Sequence, residues 1–218
     1  MSKQRLILIV AILMAVGYGW LRGAFVGLAP TDAAALQQAA APRGLQKATF
    51  AAGCFWCVEA DFDKVKGVVE TISGYTGGHV RNPTYEQVSF GGTGHTEAVE
   101  IVFDPRVVTY DQLLDHYWRN VDPFAANRQF CDAGNQYRPE IFVHDPAQRA
   151  AAESSKKRIQ ERFPQPIVVK VTDAAPFYRA EAYHQDYYKT HPVQYRYYRW
   201  RCGRDGRLEE IWRGRTSS

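Results

Sequence analysis

The sequence predicts one domain of the α+β class, in which helices pack against a mixed sheet, preceded by an N-terminal leader. Strand-like and helix-like segments alternate along residues 44–218, without an internal repeat or a low-complexity tract. The 218 residues are 45% hydrophobic and 23% charged, close to the average for soluble globular proteins. This composition excludes a fully disordered chain, a collagen and a multi-span membrane protein.

The body opens with a predicted β-α-β unit. Residues 45–52 form a strand-like run that Gly53 ends, and residues 68–74 form the second strand. Between them a helix begins at or beside Cys54, because apolar residues recur there at helical spacing. Those residues are Phe55, Val58, Phe62 and Val65.

A second β-α-β unit follows a glycine-rich loop and a short predicted helix at 84–90. Residues 98–103 form its first strand. Thr109 and Gln112 then have the spacing of a capping box, which begins a helix with one apolar face. Residues 140–144 form the closing strand of this unit.

The remaining residues add an α-β-α extension. Asp145-Pro146 begins a helix that runs to about residue 163, residues 167–171 form a strand, and residues 176–189 are predicted to be helical. The first six elements match the split βαβ arrangement of ferredoxin-like folds. The sequence therefore predicts a ferredoxin-like α+β core with a mixed sheet and a C-terminal extension.

Residues 1–43 differ in kind from the rest of the chain. Lys3 and Arg5 precede a charge-free, mostly aliphatic run at 6–21, and small residues follow it. This is the pattern of a secretory signal peptide or of an uncleaved membrane anchor, with a run shorter than the roughly 20 residues that span a bilayer comfortably. The leader predicts that the body is exported to the periplasm or another extracytoplasmic location, where it is either released or held at the membrane.

The charge balance argues against a general nucleic-acid binder. Outside the leader the chain carries 23 basic and 22 acidic residues, so it has no large positive excess. The tail at 194–215 interleaves arginines with aromatic residues, a pattern that can bind single strands. A strand or loop that packs its aromatics inward and exposes its arginines is the simpler interpretation, and no nucleic-acid partner is predicted.

Gly53-Cys54-Phe55-Trp56-Cys57 is the first candidate for chemistry. A helix N-terminus favours a thiolate at Cys54, and a thiolate is a nucleophile. Cys57 lies three residues on, on the same helical face and within reach of a disulfide. Phe55 and Trp56 could wall a substrate pocket, or they could pack in the core.

Two further clusters supply polar groups. Glu97 lies where a glycine-rich loop gives way to an apolar run. Poor solvation there would raise its pKa and keep it protonated, as a general acid must be. A solvated glutamate at the start of the strand would instead stay charged. Asp132 and Tyr137 lie in a polar loop at 122–138, and Tyr85 lies in the short helix. Phenols donate hydrogen bonds, and a carboxylate accepts them.

Five motifs follow one another along the body. They are Gly-Cys-Phe-Trp-Cys-Val-Glu at 53–59, Ser-Gly-Tyr-Thr-Gly-Gly at 73–78, Thr-Gly-His-Thr-Glu at 93–97, Asp-Ala-Gly-Asn-Gln-Tyr-Arg at 132–138 and Glu-Ala-Tyr-His-Gln-Asp-Tyr-Tyr at 181–188. In this order and spacing the chain resembles the peptide methionine sulfoxide reductases of the A type. The resemblance spans about residues 47–192 and leaves the leader outside. It implies that residues 44–218 are a catalytic domain that reduces methionine-S-sulfoxide, free or in proteins.

The resemblance implies a role for each candidate residue. Cys54 is the nucleophile, and Phe55 and Trp56 wall a pocket for the substrate's methyl group. Glu97 gives its proton to the sulfoxide oxygen. Hydrogen bonds to that oxygen, or to a water in the site, come from Tyr85, Asp132 and Tyr137. This set of donors works without a metal and without a bound cofactor.

The resemblance also implies a cycle of three steps. Cys54 becomes a sulfenic acid as methionine leaves, a second thiol condenses with it to a disulfide, and a thioredoxin-like protein restores both thiols. The expected partners are oxidised proteins or peptides that carry methionine sulfoxide, and the thioredoxin-like electron donor. A monomer is the expected state of the protein.

The identity of the second thiol stays open. Many members of the family have glycine at the position of Cys57 and use cysteines in a C-terminal tail. Here Cys57 is local and Cys202 lies in the tail, so either could attack the sulfenic acid. Cys131 adjoins Asp132 and could also be close, but a buried structural thiol is the simpler expectation for it.

Two other chemistries are open to the cysteines. A thioredoxin-type thiol-disulfide oxidoreductase also begins a helix with a CxxC pair, but its usual tryptophan precedes the pair, and the motifs of Glu97 and Tyr137 would have no role. Structural zinc would need a second closely spaced pair, whereas Cys131 and Cys202 are isolated in the sequence. His184 falls in a matched motif, and a structural hydrogen bond in the core is expected for it.

Overall fold

The computed structural model describes residues 44–213, and the leader prediction lies outside them. Within residues 44–213 no helix is both long enough and apolar enough to cross a bilayer. The elements are β1 (Gln46–Ala51), α1 (Phe55–Phe62), β2 (Val68–Thr76), α2 (Tyr85–Phe90), β3 (Thr96–Phe103), α3 (Tyr110–Arg119), β4 (Arg128–Gln129), β5 (Asp132–Ala133), β6 (Glu140–Val143), α4 (Pro146–Gln160), β7 (Lys170–Asp173), β8 (Tyr178–Arg179), α5 (Tyr187–Thr190), α6 (Pro192–Arg201) and α7 (Arg204–Trp212). Two 3₁₀ turns lie at Asn135–Tyr137 and Ala182–His184.

The main sheet has the strand order β7-β6-β1-β3-β2-β8. β1 pairs antiparallel with both β3 and β6, and β3 pairs antiparallel with both β1 and β2. The two strands joined by α1 are therefore parallel but separated by β3, and those joined by α3 are parallel but separated by β1. This arrangement confirms the predicted split βαβ core. β7 pairs parallel with β6, which makes the sheet mixed.

The core lies on both faces of β3, whose eight residues are all buried. The predicted capping box begins α3, since the Thr109 side chain accepts from the Gln112 N–H and the Gln112 side chain accepts from the Thr109 N–H at 2.8 Å. Trp118 on α3 donates its indole N–H to the Ser155 hydroxyl of α4 at 3.0 Å, which joins these two helices without an unpaired polar group.

The continuous helix predicted at 176–189 is wrong for its first residues, and helix appears only later, in the 3₁₀ turn at Ala182–His184 and in α5. Tyr178 pairs with Tyr75 as part of a short strand, and the Ala180 N–H donates to the Ser73 carbonyl at 2.9 Å. The Gln185 side chain then bonds both backbone groups of Ser73 at 3.0 Å. This segment therefore pairs with the edge of β2 that faces away from β3. Pairing the free N–H and C=O groups of that edge is worth more than the local preference for helix.

The predictions for two other segments also need correction. The strand expected at 167–171 begins at Lys170, because Val168 donates its N–H to the Pro123 carbonyl at 2.9 Å before pairing with β6 begins. The tail forms helices α6 and α7 rather than a strand or loop. The sequence predicts that the tail buries its aromatic residues and exposes its arginines. Two residues do the reverse, since Arg204 is 2% exposed and Trp200 is 73% exposed.

Candidate active site

The site begins where β1 turns into α1. Gly53 makes this turn with φ +84°, and a Cβ at this position would lie 2.5 Å from the Cβ of Gln129. Only glycine adopts this positive φ without strain and leaves room for the Gln129 side chain. The turn places Cys54 at the N-cap position of α1, as the sequence predicts.

Cys54 and Cys57 are both free thiols, and both are buried, with 7% and 2% of their surfaces exposed. The two thiols are neighbours at the start of α1, and each changes the pKa of the other. Burial and the neighbouring Cys57 raise the pKa of the Cys54 thiol. The neighbouring Cys54, together with the cationic Arg204 and Arg199, lowers the pKa of Cys57.

The expectation that the helix N-terminus favours a thiolate at Cys54 is therefore wrong for this resting arrangement. Two of the first N–H groups of α1 are engaged elsewhere, since Phe55 donates to the Glu97 carboxyl group and Cys57 donates to the Cys54 carbonyl. Without those donors the desolvation of the buried sulfur dominates. The Cys54 proton must consequently leave before this thiol can attack.

Glu97 is buried opposite the start of α1, with 3% of its surface exposed. It is the second residue of β3, and its Oε2 accepts the Phe55 N–H at 2.9 Å. Burial raises the pKa of Glu97 to about 8, against the opposing effect of that hydrogen bond. The carboxyl group is therefore mostly protonated at neutral pH, and the solvated alternative is excluded.

Tyr85 and Tyr137 come from different elements and both lie near Cys54 and Glu97. Tyr85 is the first residue of α2, and Tyr137 ends the 3₁₀ turn in the polar loop. Burial raises the pKa of each phenol, and the charges of Glu97 and Cys54 raise both further. Both hydroxyls therefore stay protonated at neutral pH, and they can donate hydrogen bonds near Cys54 and Glu97.

The two aromatic residues after Cys54 have different environments. Phe55 is 1% exposed and packs in the core, whereas Trp56 is half-buried and stacks on Tyr187 with ring centroids 3.8 Å apart. Trp56 donates its indole N–H to Nδ1 of His184 at 3.1 Å, so His184 has the structural hydrogen bond expected of it. These contacts fix the orientation of the Trp56 ring.

Tyr198 is a site residue that the sequence interpretation missed. It lies on α6, and its hydroxyl donates to Oδ2 of Asp132 at 2.5 Å. Burial raises the pKa of this phenol, and the neighbouring Cys54 and Asp132 raise it further. Its ring meets Trp56 edge-on, with centroids 5.8 Å apart. The signal in the sequence is the spacing of Tyr195, Tyr198 and Cys202, which share the less exposed face of the tail helix.

Cys131 and Cys202 form a disulfide across a sequence separation of 71 residues. Cys131 is exposed, so the expectation of a buried structural thiol is wrong. Helix α6 ends beside the loop that carries Asp132, which brings the two cysteines together. Cys57 is thus the free thiol next to Cys54 among the described residues, whereas Cys202 is paired with Cys131.

Comparison with known proteins gives one consistent result. A family model described as peptide methionine sulfoxide reductase matches residues 46–216. Peptide methionine sulfoxide reductase MsrA of Ligilactobacillus salivarius is 57% identical over 150 residues, which are 68% of this chain and 87% of that protein. MsrA of Bacillus licheniformis is 51% identical over 167 residues, 76% of this chain and 92% of that protein.

Solved structures agree with these sequence matches. Mxr1 from Saccharomyces cerevisiae in its reduced form has a TM-score of 0.67 and 30% identity, covering 70% of this chain and 88% of that chain. Methionine sulfoxide reductase A of Corynebacterium diphtheriae has a TM-score of 0.64 and 32% identity, covering 70% of this chain and 77% of that chain. The similarity thus extends over most of the described residues.

Proposed function

Because this chain belongs to the peptide methionine sulfoxide reductase family, it is an oxidoreductase that reduces methionine sulfoxide, and we propose how its residues share the reaction. The observation that carries the proposal is the placement of the buried, protonated Glu97 beside the helix start that holds Cys54. A nucleophile and an acid at one pocket are what cleavage of a sulfur–oxygen bond requires.

In the first step the Cys54 thiolate attacks the sulfoxide sulfur. The oxygen takes the proton of Glu97, and methionine leaves while Cys54 becomes a sulfenic acid. Tyr85 and Tyr137 donate hydrogen bonds to the oxygen, where negative charge develops. The protonated carboxyl and two phenols supply these donors from positions that are fixed before the substrate binds.

In the second step the Cys57 thiol attacks the Cys54 sulfenic acid, which forms a disulfide and releases water. Two observations support Cys57 over Cys202 in this role. Cys57 is a free thiol three residues after Cys54 at the start of α1, and Cys202 is held by Cys131. The lowered pKa of Cys57 also favours its thiolate, which is the attacking form.

In the third step a thioredoxin-like protein dithiol reduces this disulfide by thiol-disulfide exchange, and the donor leaves as a disulfide. The cycle transfers two electrons and uses no bound cofactor. The substrates proposed are oxidised proteins or peptides, and the side chain of free methionine sulfoxide carries the same reacting group.

A single-turnover assay tests the reaction. Pre-reduced residues 44–218 are given each sulfoxide epimer of a blocked methionine. The S epimer alone should yield one equivalent of methionine with the loss of two thiols, and a thioredoxin-like dithiol should restore both. Methionine from neither epimer, with the protein folded and reduced, would reject the reductase and favour a thiol-disulfide oxidoreductase.

We propose that the leader exports the body, which then acts outside the cytoplasm as a released or membrane-held protein. Lys3, Arg5 and the apolar run at 6–21 support this location. Fractionation of cells that express the full chain should place it in the periplasm or the membrane, and mass spectrometry would show whether the leader is cut. Full-length protein in the cytosol would contradict export.

A further inference from the structure

The outer side of helix α6 carries an exposed apolar stripe. Its members are Val193, Tyr197 and Trp200, and between 62% and 73% of the surface of each is exposed. They are spaced four and three residues apart, so they lie along one side of the helix. The rings of Tyr197 and Trp200 have centroids 6.0 Å apart. Three of the seven large apolar side chains that the described residues expose are therefore grouped on one helix, as at an interaction site.

Two unpaired arginines border this exposed stripe. Arg196 and Arg201 are both exposed, and neither makes an ion pair or a side-chain hydrogen bond with another described residue. Each lies one helical turn from a member of the stripe. Arg199, on the inner side of the same helix, is instead paired with two aspartates. The outer side of α6 thus combines apolar rings with free positive charge, which suits a partner that is both apolar and anionic.

We propose that the exposed stripe and its two arginines dock on the anionic surface of a membrane. Tryptophan and tyrosine favour the level of the lipid headgroups, where the ring is buried and its polar end stays in water. Arginine binds phosphate oxygens with its planar fork of N–H groups. The inference rests on the proposed location, because it requires a body that is exported and stays beside a membrane.

The length of the leader favours a membrane over a protein as the partner. The charge-free apolar run ends at residue 21, and the described chain begins at residue 44. At no more than about 3.5 Å per residue, even a fully extended chain keeps residue 44 within about 80 Å of the end of that run. A body held so close to a bilayer meets it at a high effective concentration. A stripe of three side chains with two charges is then sufficient, whereas a separate protein would have to bind without this tether.

Docking through α6 has a consequence for the active site. The inner side of this helix carries Tyr198, which bonds Asp132 and meets the Trp56 ring edge-on. An α-helix with its side chains is about 10–12 Å across, so the docked helix holds these site residues close to the headgroups. The oxidised proteins that the docked enzyme meets are therefore those at the membrane surface.

The test uses the full-length protein with Trp20→Phe, which removes the indole of the leader. It is reconstituted in phosphatidylcholine vesicles with and without phosphatidylglycerol, whose acyl chains carry bromine to quench nearby indoles. Trp118 and Trp212 are buried and Trp56 is half-buried, so Trp200 is the exposed tryptophan among the described residues. Quenching should appear with phosphatidylglycerol and should be lost in Trp200→Phe. Circular dichroism checks that each variant is folded.

The arginines provide an independent readout. Arg196→Gln and Arg201→Gln should each lower the ratio of docked to undocked protein about fivefold, because each basic side chain near an anionic surface contributes to binding. Added salt should weaken docking as well. Arg162→Gln is the matched control, since Arg162 is an exposed arginine just after α4 and its loss changes the net charge equally. It should leave the quenching unchanged.

Three results would overturn the proposal: undiminished quenching in Trp200→Phe, equal quenching without phosphatidylglycerol, or an equal loss in Arg162→Gln. A polyglutamate peptide that shields Trp200 from aqueous iodide, when vesicles do not, would assign the stripe to a protein partner and overturn it as well. The quenching requires no sulfoxide. Failure of the proposed reaction would appear separately, as the absence of methionine from the unsubstituted protein, and failure of export as full-length protein in the cytosol.

Discussion

Glu97→Gln is expected to lower the single-turnover rate of sulfoxide reduction by about 10²–10⁴-fold, the range that a positioned general acid contributes. The amide has nearly the shape of the carboxyl group, and its oxygen can still accept the Phe55 N–H that Oε2 accepts at 2.9 Å. It has no acidic proton to give to the sulfoxide oxygen. The measurement is the amount of methionine released against time by pre-reduced protein.

The pH dependence provides a second readout for Glu97. Its pKa is raised to about 8, so the carboxyl group is protonated below that pH and ionised above it. The reduction rate should therefore fall as the pH rises through about 8, after correction for the ionisation of Cys54. This fall should disappear in Glu97→Gln, because the amide does not titrate.

Glu59→Gln is the matched control for this substitution. Glu59 is also fully buried, and burial also raises its pKa to about 8. The charges that act on it are those of Asp186 and Asp63, and it lies five residues beyond Cys54 on α1. An unchanged rate in Glu97→Gln, or an equal loss in Glu59→Gln, would reject Glu97 as the acid.

Cys57→Ser is expected to stop the cycle after methionine release. With the Cys131–Cys202 disulfide intact, the Cys54 sulfenic acid would have no neighbouring thiol, so only an external thiol could reduce it. Turnover with a dithiol should fall by roughly a hundredfold or more, because an intramolecular attack is replaced by an intermolecular one at a buried sulfur. A carbon nucleophile selective for sulfenic acids, read by mass spectrometry, should label Cys54 after one turnover.

Cys131→Ser tests the alternative on the same protein. It leaves Cys57 in place and frees Cys202, and it should still form the Cys54–Cys57 disulfide in one turnover. Peptide mapping under non-reducing conditions identifies the pair. A Cys54–Cys202 disulfide in this variant, or rapid disulfide formation by Cys57→Ser, would assign the resolving role to Cys202 and make Cys57 an auxiliary thiol.

Local signals in the sequence determined most of the elements and pointed to the candidate reacting residues. Helical spacing from Phe55 onward and the capping box of Thr109 and Gln112 depend on neighbours within one or two turns, so the chain alone contains them. The order of strands and helices was sufficient to predict the split βαβ core. The motifs around Cys54 and Glu97 predicted a nucleophile and an acid, because few residue types can serve in those roles.

The tertiary structure alone decided which groups meet and in which protonation state. Residues 178–180 pair with the edge of β2 instead of continuing a helix, since backbone groups distant in the sequence offer hydrogen bonds there. Folding brings Cys202 to Cys131 and Tyr198 to Asp132, contacts that no local pattern encodes. Burial keeps the proton on Cys54 despite its place at a helix start, because a sulfur's pKa depends on the solvent and charges around it rather than on its position in the chain.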